Sequence, residues 1–373
     1  MNYEKLVSLC HDMEKKLRIG LIGLGQRGMA TLRRYSVIDD AEITAIADLS
    51  AACTERALVT LRQQGHNNVS VYQGESKWRE MCVDENVDLI YICTDWASHA
   101  RMAIHAMKHG KNVAIEVPAA MTVDECWALV ETTEETGRFC TMLENCCYDT
   151  FHLGIMEMKR KGMFGEICHC EGAYIHDLRS DNGWVSYTVA DHAGNPYPTH
   201  GLGPACQLLD IHHGDRLESL ISMSAPNKVN NTLIRTALGK TILIQFDERT
   251  PRPYSRLQTL CGVKGFAQKY PIPTIQIDGQ TTLTGIEAEA YVHNQHNDDT
   301  RALVSRGKEL GVENLMNYIM DYRLVRNLRN NKKPDITIYD AALWSCITEL
   351  SAQSVLSGNK PVEIPDFTRG QWK

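Results

Sequence analysis

From Leu17 onward the apolar positions recur with two different periods. "LRIGLIGLG" is a short apolar run broken by glycines, which predicts a buried strand entering a tight turn. "RGMATLRRYSVI" then carries Met29, Leu32, Tyr35 and Val37 at helical spacing, and "AEITAIAD" reads as a second strand. "CTERALVTLRQQG" predicts a helix closed by Gly65, "VDLIYICT" a strand, "SHARMAIHAMKHG" a helix and "KNVAIEVP" a strand stopped by Pro118. Thr122 with Glu125 three residues on forms a capping box for the next helix, and "RFCTMLEN" is one more strand. Residues 1–16 read as a helical lead-in. Strands alternating with helices of roughly 10–15 residues mean βαβ units and a parallel sheet, and the pattern holds to about residue 150.

The texture then changes. "FHLGIMEMKRKGMFG" predicts a helix ending at Gly162, and from about 166 to 290 the segments read as antiparallel strands joined by short turns. Residues 312–357 return to helix, and the tail "PVEIPDFTRGQWK" is irregular. The expectation is an α/β protein. A doubly wound Rossmann domain over 1–150 binds NAD, and an α/β domain with a large open antiparallel sheet over 151–373 binds substrate. The open sheet face offers a dimer surface, so a homo-oligomer is expected.

Composition narrows the class. A length of 373 residues fits two domains at roughly 100–200 residues each. A net charge of -7 gives no basic footprint, so nucleic acid is not an expected partner. No apolar run approaches the roughly 20 residues that span a bilayer, so no membrane partner is expected. The leading "MNYEKLVSLCHDMEKKL" has no uninterrupted apolar stretch and no twin arginine, which points to the cytoplasm. The 13 cysteines are an odd number in apolar surroundings, which favours reduced thiols. Cys146 and Cys147 are adjacent and no C-x-x-C pair exists, so no metal site is expected.

The candidate chemistry begins at "GLGQRG". It places Gly23, Gly25 and Gly28 between strand and helix in the dinucleotide-binding spacing: a tight turn, a close approach to pyrophosphate, and helix-to-strand packing. The helix N-terminus then faces the phosphates. The second strand ends at Asp48, about 20 residues past Gly28, where a carboxylate takes the ribose hydroxyls. Leu49 and Ser50 follow with no arginine to meet a 2′-phosphate, so NAD is the expected cofactor.

Further motifs resemble one family. "IEVPAA" (115–120), "LENCCYD" (143–149), "GAYIHDLR" (172–179), "YPTHGLGP" (197–204), "YIMDYRLVRNLRN" (318–330) and "EIPDFTRGQW" (363–372) are similar to the Gfo/Idh/MocA superfamily of NAD(P)-dependent sugar enzymes. Within it they most resemble the NAD-dependent α-N-acetylgalactosaminidases of glycoside hydrolase family 109. That resemblance implies cofactor contacts at Gln26, Arg27, Asp48, Trp96, His99, Glu116, Val117 and Asn145. It implies sugar contacts at Tyr174, Tyr197, Pro198, Thr199, His200 and Tyr291. The implied partner is a small sugar or glycoside, and export to the periplasm is common in the family. The chain departs from it between Arg179 and Tyr197, where the family carries a longer insertion with a substrate-binding arginine, and at Glu313–Met316, where it carries His-Gly-Gly-Met.

The implied chemistry is redox-neutral. Oxidation at the sugar C3 hydroxyl acidifies C2–H, the C1 substituent leaves, water adds, and the hydride returns. His200 suits the acid/base work, with an ordinary pKa near 6.5. Tyr174 and Tyr197 serve as a second base or hold hydroxyls. Two readings compete. An ordinary sugar or cyclitol dehydrogenase would release NADH, but plain members carry lysine where Val117 stands, and valine moves no proton. A non-catalytic NAD or sugar sensor is the other. His176, Asp177 and Arg179 read as a salt-bridge network on a strand, and His212 and His213 as a solvent-facing helix end.

Overall fold

The computed structural model describes residues 16–181 and 192–373. The lead-in helix predicted over 1–16 lies almost wholly outside them, as does most of the shortened segment between Arg179 and Tyr197. The contacts divide the chain into two compact units. One is built from the chain up to Ala119, Ala128–Leu143 and Tyr318–Ile338; the other from Ala120–Trp127, Glu144–Asn317 and Tyr339–Lys373. Where the sequence suggested a single cut at 150, the contacts cut at Leu143 and return a later helical stretch to the first unit.

The first unit runs β1 (Leu17–Ile22), α1 (Gln26–Tyr35), β2 (Ala41–Asp48), α2 (Ala51–Gln63), β3 (Ser70–Gln73), α3 (Trp78–Met81), β4 (Leu89–Ile92), α4 (Trp96–Lys108) and β5 (Asn112–Ile115). After α5 (Val123–Thr136), which begins in the second unit, β6 (Cys140–Met142) completes a six-stranded sheet. Its order is β3-β2-β1-β4-β5-β6 and every pairing is parallel. Helices cover both faces of such a sheet, so its strands read as continuous apolar runs; all four residues of β4 are buried. Sequence patterning missed β3 and α3. β3 is an exposed edge strand of four residues, too short and too polar to show a period.

In the second unit, α6 (Thr150–Arg160) leads into β7 (Ile167–Ile175), α7 (Thr199–Leu208), β8 (Leu217–Ser224), β9 (Asn230–Thr236), β10 (Thr241–Asp247), β11 (Ser255–Gly262), β12 (Gly265–Gln268), β13 (Thr274–Ile277) and β14 (Leu283–Thr284). Then come α8 (Gly285–His293), α9 (Asp298–Glu309), α10 (Leu315–Arg329), α11 (Ile338–Leu356) and β15 (Val362–Glu363). The nine strands order as β14-β13-β12-β11-β7-β10-β9-β8-β15. The sheet is antiparallel as expected except that β10 pairs parallel with β7, so it is mixed. The strand region expected to run to about 290 ends sooner: α8 begins at Gly285, and α9 fills a stretch for which the pattern predicted no element. α9 buries only Thr300, Leu303 and Gly307, a stripe too narrow to stand out in a polar sequence.

The Thr122 half of the capping box is present, with the Glu125 amide donating to Thr122 Oγ1 at 3.2 Å, while Glu125 Oε2 reaches one residue further back and accepts from the Met121 amide at 2.8 Å. Among the described residues every cysteine is unpaired, and no helix is long and apolar enough to cross a membrane.

Candidate active site and cofactor cleft

β1 ends at Ile22, and Gly23 turns the chain at φ 90°. A Cβ on Gly28 would stand 1.9 Å from the Gly23 carbonyl oxygen, so only glycine lets α1 lie this close to the turn. A Cβ on Gly25 would meet nothing within 4 Å. Gly25 caps α1 without a side-chain hydrogen bond, and no acidic residue stands in the first turn. The leading N–H groups of α1 therefore have no intrahelical acceptor and face open space, the arrangement that takes a phosphate. Asp48 closes the other side. Its Oδ2 accepts from the Leu24 amide at 2.6 Å and its Oδ1 from the Ser50 amide at 2.8 Å, which ties the carboxylate to the turn.

Gly23, Gly25, Asp48, Trp78, Thr94 and Arg101 are among the residues lining a cleft of about 390 Å³. It lies at the carboxyl ends of β1, β2 and β4, where the strand order reverses, the usual seat of a dinucleotide in this topology. These residues fit NAD: open backbone donors for pyrophosphate, an anchored carboxylate for ribose hydroxyls. Trp78 carried no sequence signal, because α3 is only four residues long, and Arg101 on the predicted α4 belongs to no motif.

The other expected cofactor residues separate into groups. Arg27 and Glu116 pair with each other at 2.6 Å. Burial disfavours the Arg27 charge, but Glu116 outweighs it and raises the guanidinium pKa further. His99 is fully buried. Its Nδ1 stands 2.8 Å from the Pro118 carbonyl oxygen and its Nε2 3.0 Å from that of Thr94, so neither ring nitrogen is open to a ligand. Burial holds its pKa below the ordinary value. Trp96 opens α4 and is buried, as is Val117. Gln26 is the first residue of α1. Asn145 belongs to the second unit, on the 3-10 turn Asn145–Tyr148, and donates to Asn317 Oδ1 at 2.8 Å.

The second unit gathers the expected acid/base group. A Cβ on Gly172 of β7 would stand 2.3 Å from the Gly201 carbonyl oxygen of α7. This glycine crossing sets helix on strand backbone to backbone and brings His200 beside Tyr174. The ring centroids of Tyr174 and Tyr197 are 4.9 Å apart, and those of Tyr197 and His200 are 4.8 Å apart. The Tyr197 hydroxyl stands 3.3 Å from His200 Nε2. On the far side of the ring, His200 Nδ1 lies 2.7 and 2.9 Å from the two oxygens of Glu144. Glu144 is fully buried and the His200 side chain 15% exposed.

Burial alone would raise the Glu144 carboxyl, but His200 holds it below its ordinary value. Burial would lower His200, yet Cys146 and Glu144 overcome it and push the imidazole up to about 10. The pair rests as carboxylate and imidazolium. Sequence reasoning gave Glu144 no place beside His200: 56 residues separate the two, and only the fold closes that distance.

Pro198 caps α7 and Thr199 is its buried first residue. Tyr291 stands half-exposed on α8, apart from the hydrogen bonds and ring contacts of the Tyr174–Tyr197–His200 group. Asp177 and Arg179 pair at 2.7 Å as expected, but beyond the end of β7. His212 corrects the helix-end reading: α7 has ended, His212 takes φ 67°, and its Nδ1 lies 3.2 Å from Asp340.

Residues 17–143 match the oxidoreductase family with NAD-binding Rossmann fold, and residues 148–231 and 226–373 match the C-terminal domain of glycosyl hydrolase 109. A glycosyl hydrolase family 109 protein of Phocaeicola vulgatus is 48% identical, over 96% of this chain and 96% of its own. The alpha-N-acetylgalactosaminidase of Bacteroides fragilis is 47% identical, over 99% of this chain and 96% of its own. Among solved structures, levoglucosan dehydrogenase in complex with NADH superposes with a TM-score of 0.75 at 17% identity, over 94% of this chain and 100% of that one. An inositol dehydrogenase homolog from Azotobacter vinelandii gives 0.73 at 16% identity, over 94% and 98%. At those identities the likeness concerns the fold. The two family matches and the two close relatives together place the chain as an NAD-binding enzyme of the Gfo/Idh/MocA type that belongs to glycosyl hydrolase family 109.

Proposed function

We propose that this enzyme is an NAD-dependent glycosidase that cleaves without net oxidation and takes α-N-acetylgalactosaminides, the substrate class named for its Bacteroides fragilis relative. The observation that carries the reading is the buried Glu144–His200–Tyr197 chain. When bound, NAD supplies a reversible acceptor for a sugar hydride. The Gly25 turn and Asp48 hold the cofactor's pyrophosphate and ribose, and Arg27 with Glu116 braces the start of α1.

His200 rests as an imidazolium, so its first act is donation, from Nε2 to the departing glycosidic oxygen. The neutral imidazole that remains takes a proton from the incoming water. Glu144 keeps the Nδ1 proton in place and so fixes which nitrogen does the work, and Tyr197 extends the relay. Tyr174 and Tyr197 orient sugar hydroxyls and supply the second base that takes the C2 proton, with Pro198 and Thr199 setting the α7 entry. Val117 can hold no proton, so the C3 hydroxyl proton released as the hydride leaves must pass to the tyrosine–histidine group, where Tyr174 stands beside His200.

The test is incubation with p-nitrophenyl glycosides of both anomers in deuterated water while NADH absorbance is followed. Aglycone release with deuterium at C2 and no net NADH is expected. Stoichiometric NADH with an oxidised sugar would make it a dehydrogenase, and tight NAD retention with no turnover a sensor. The enzyme is also proposed to be a homo-oligomer through its nine-stranded sheet, where Ile221 pairs across strands with Leu233 and both are exposed beside Met223. Sedimentation of an Ile221→Lys, Leu233→Lys variant as the monomer supports this; an unchanged mass overturns it.

A further inference from the structure

We propose that Glu144, Cys146 and His200 form a three-donor site for a thiophilic divalent cation such as Zn²⁺. A carboxylate oxygen, a thiol sulfur and an imidazole nitrogen from these residues all lie within 4.8 Å of one another. Sequence spacing concealed the set, because the adjacent pair Cys146–Cys147 has no metal-site spacing and His200 arrives from another element.

The fold builds the cluster in two pieces. Glu144 caps the 3-10 turn and accepts from the Cys146 amide at 3.1 Å, so the carboxylate and the thiol are held by one turn of backbone. His200 enters from the first turn of α7, with Nδ1 already 2.7 Å from Glu144 Oε1. Zinc bonds of about 2.0–2.3 Å in a tetrahedron space the donors roughly 3.3–3.8 Å apart. The carboxylate and imidazole need to part by only about half an ångström to meet that spacing. Both Glu144 and Cys146 are buried on a fixed turn, so little ordering is left to do.

The donor set selects the metal. Sulfur, nitrogen and oxygen together suit Zn²⁺, whereas Mg²⁺ and Ca²⁺ call for oxygen ligands in greater number. Arg256, close to Cys146, pairs with Asp149 at 2.7 Å and shares that carboxylate with Lys269, so one positive charge stays beside the site for the cation to overcome. Three protein ligands leave a fourth position open to water or substrate.

Occupancy has a consequence for catalysis, and this part rests on the proposed acid/base role of His200. Metal on Nδ1 takes the place of the proton that Glu144 holds there and leaves a neutral imidazole, whose Nε2–H is a far weaker acid than the imidazolium, so Zn²⁺ silences the enzyme reversibly. Cys146 takes no part in the proposed cleavage; its role here is as a ligand.

The test uses the full-length, NAD-loaded, reduced enzyme titrated with Co²⁺. Expected are a near-ultraviolet thiolate-to-cobalt charge-transfer band and the visible bands of a tetrahedral site, saturating at one equivalent and displaced by Zn²⁺. Cys146→Ser loses the charge-transfer band and binds Zn²⁺ at least tenfold more weakly, while Cys168→Ser, at an exposed position, keeps both. No band in the wild type, or a band that survives Cys146→Ser, overturns the site. Zn²⁺ added to the active enzyme abolishes turnover and a chelator restores it. A Cys146-dependent band with turnover unaffected upholds the metal site and overturns the role given to His200.

Discussion

Replacing Gly28 and Gly25 separately by alanine should split two functions of one turn. At Gly28 the new methyl would stand 1.9 Å from the Gly23 carbonyl oxygen and 2.9 Å from its carbon. Both are backbone atoms at the end of β1, so α1 must move outward by more than an ångström. Overpacking of this kind costs about 1–3 kcal/mol, and the better helix propensity of alanine returns about 1. Because the clash is with backbone rather than a mobile side chain, the net loss should sit near 2 kcal/mol. That lowers Tm by roughly 4–8 °C for a domain of this size. NAD affinity should fall with it, since the helix terminus has shifted.

At Gly25 the backbone already has φ −66° and the space beyond is open. The weaker cap and the stiffer unfolded chain each contribute about 1 kcal/mol or less, with opposite signs, so Tm should barely change. The methyl instead occupies the approach of the pyrophosphate, and NAD should bind at least tenfold more weakly, about 1.4 kcal/mol. Scanning calorimetry without NAD and isothermal titration with it measure the two effects. A Gly25→Ala protein that melts as early as Gly28→Ala, or binds NAD like the parent, would refute the reasoning.

Three other perturbations probe the remaining charged groups. Glu144→Gln should lower kcat by about 10²–10⁴-fold. His200 is held protonated up to about 10, so the active form is lost as pH rises through that value; without the carboxylate, the alkaline limb of the pH–rate profile should move to lower pH. An unmoved limb would remove Glu144 from the mechanism. His152 is buried, mainly by desolvation, with its pKa lowered to about 4. Protonation therefore favours the unfolded chain: stability is full above about 6.5 and falls by up to about 3 kcal/mol as pH drops toward 4. His152→Gln should flatten the urea-midpoint profile across that window. Asp321→Ala leaves the Arg34 guanidinium, 8% exposed, without its carboxylate, and should cost about 3–5 kcal/mol in denaturant melts. Joint replacement by Arg34→Met and Asp321→Leu should recover most of that loss.

The sequence determined what lies within a few turns of chain. The βαβ rhythm, the glycine turn from Gly23 to Gly28, Asp48 at the end of the next strand, and the Thr122–Glu125 box all depend on neighbours close in sequence, so their residue types report them directly. The run Tyr197–His200 was legible only through its resemblance to a family motif. Tertiary structure decided the rest. Hydrophobic period shows which face of a strand is buried but not its partner, so the parallel pairing of β7 with β10 left no trace in the pattern. α8 and α9 bury so little apolar surface that their period is faint. His99 and Asn145 were expected at the cofactor, but their polar atoms meet the Pro118 and Thr94 carbonyls and Asn317 within their own units. Glu144 shows the limit most clearly. A carboxylate acquires its role only from the charge that folding sets against it, and His200 meets it because Gly172 and Gly201 let α7 and β7 approach without side chains between them.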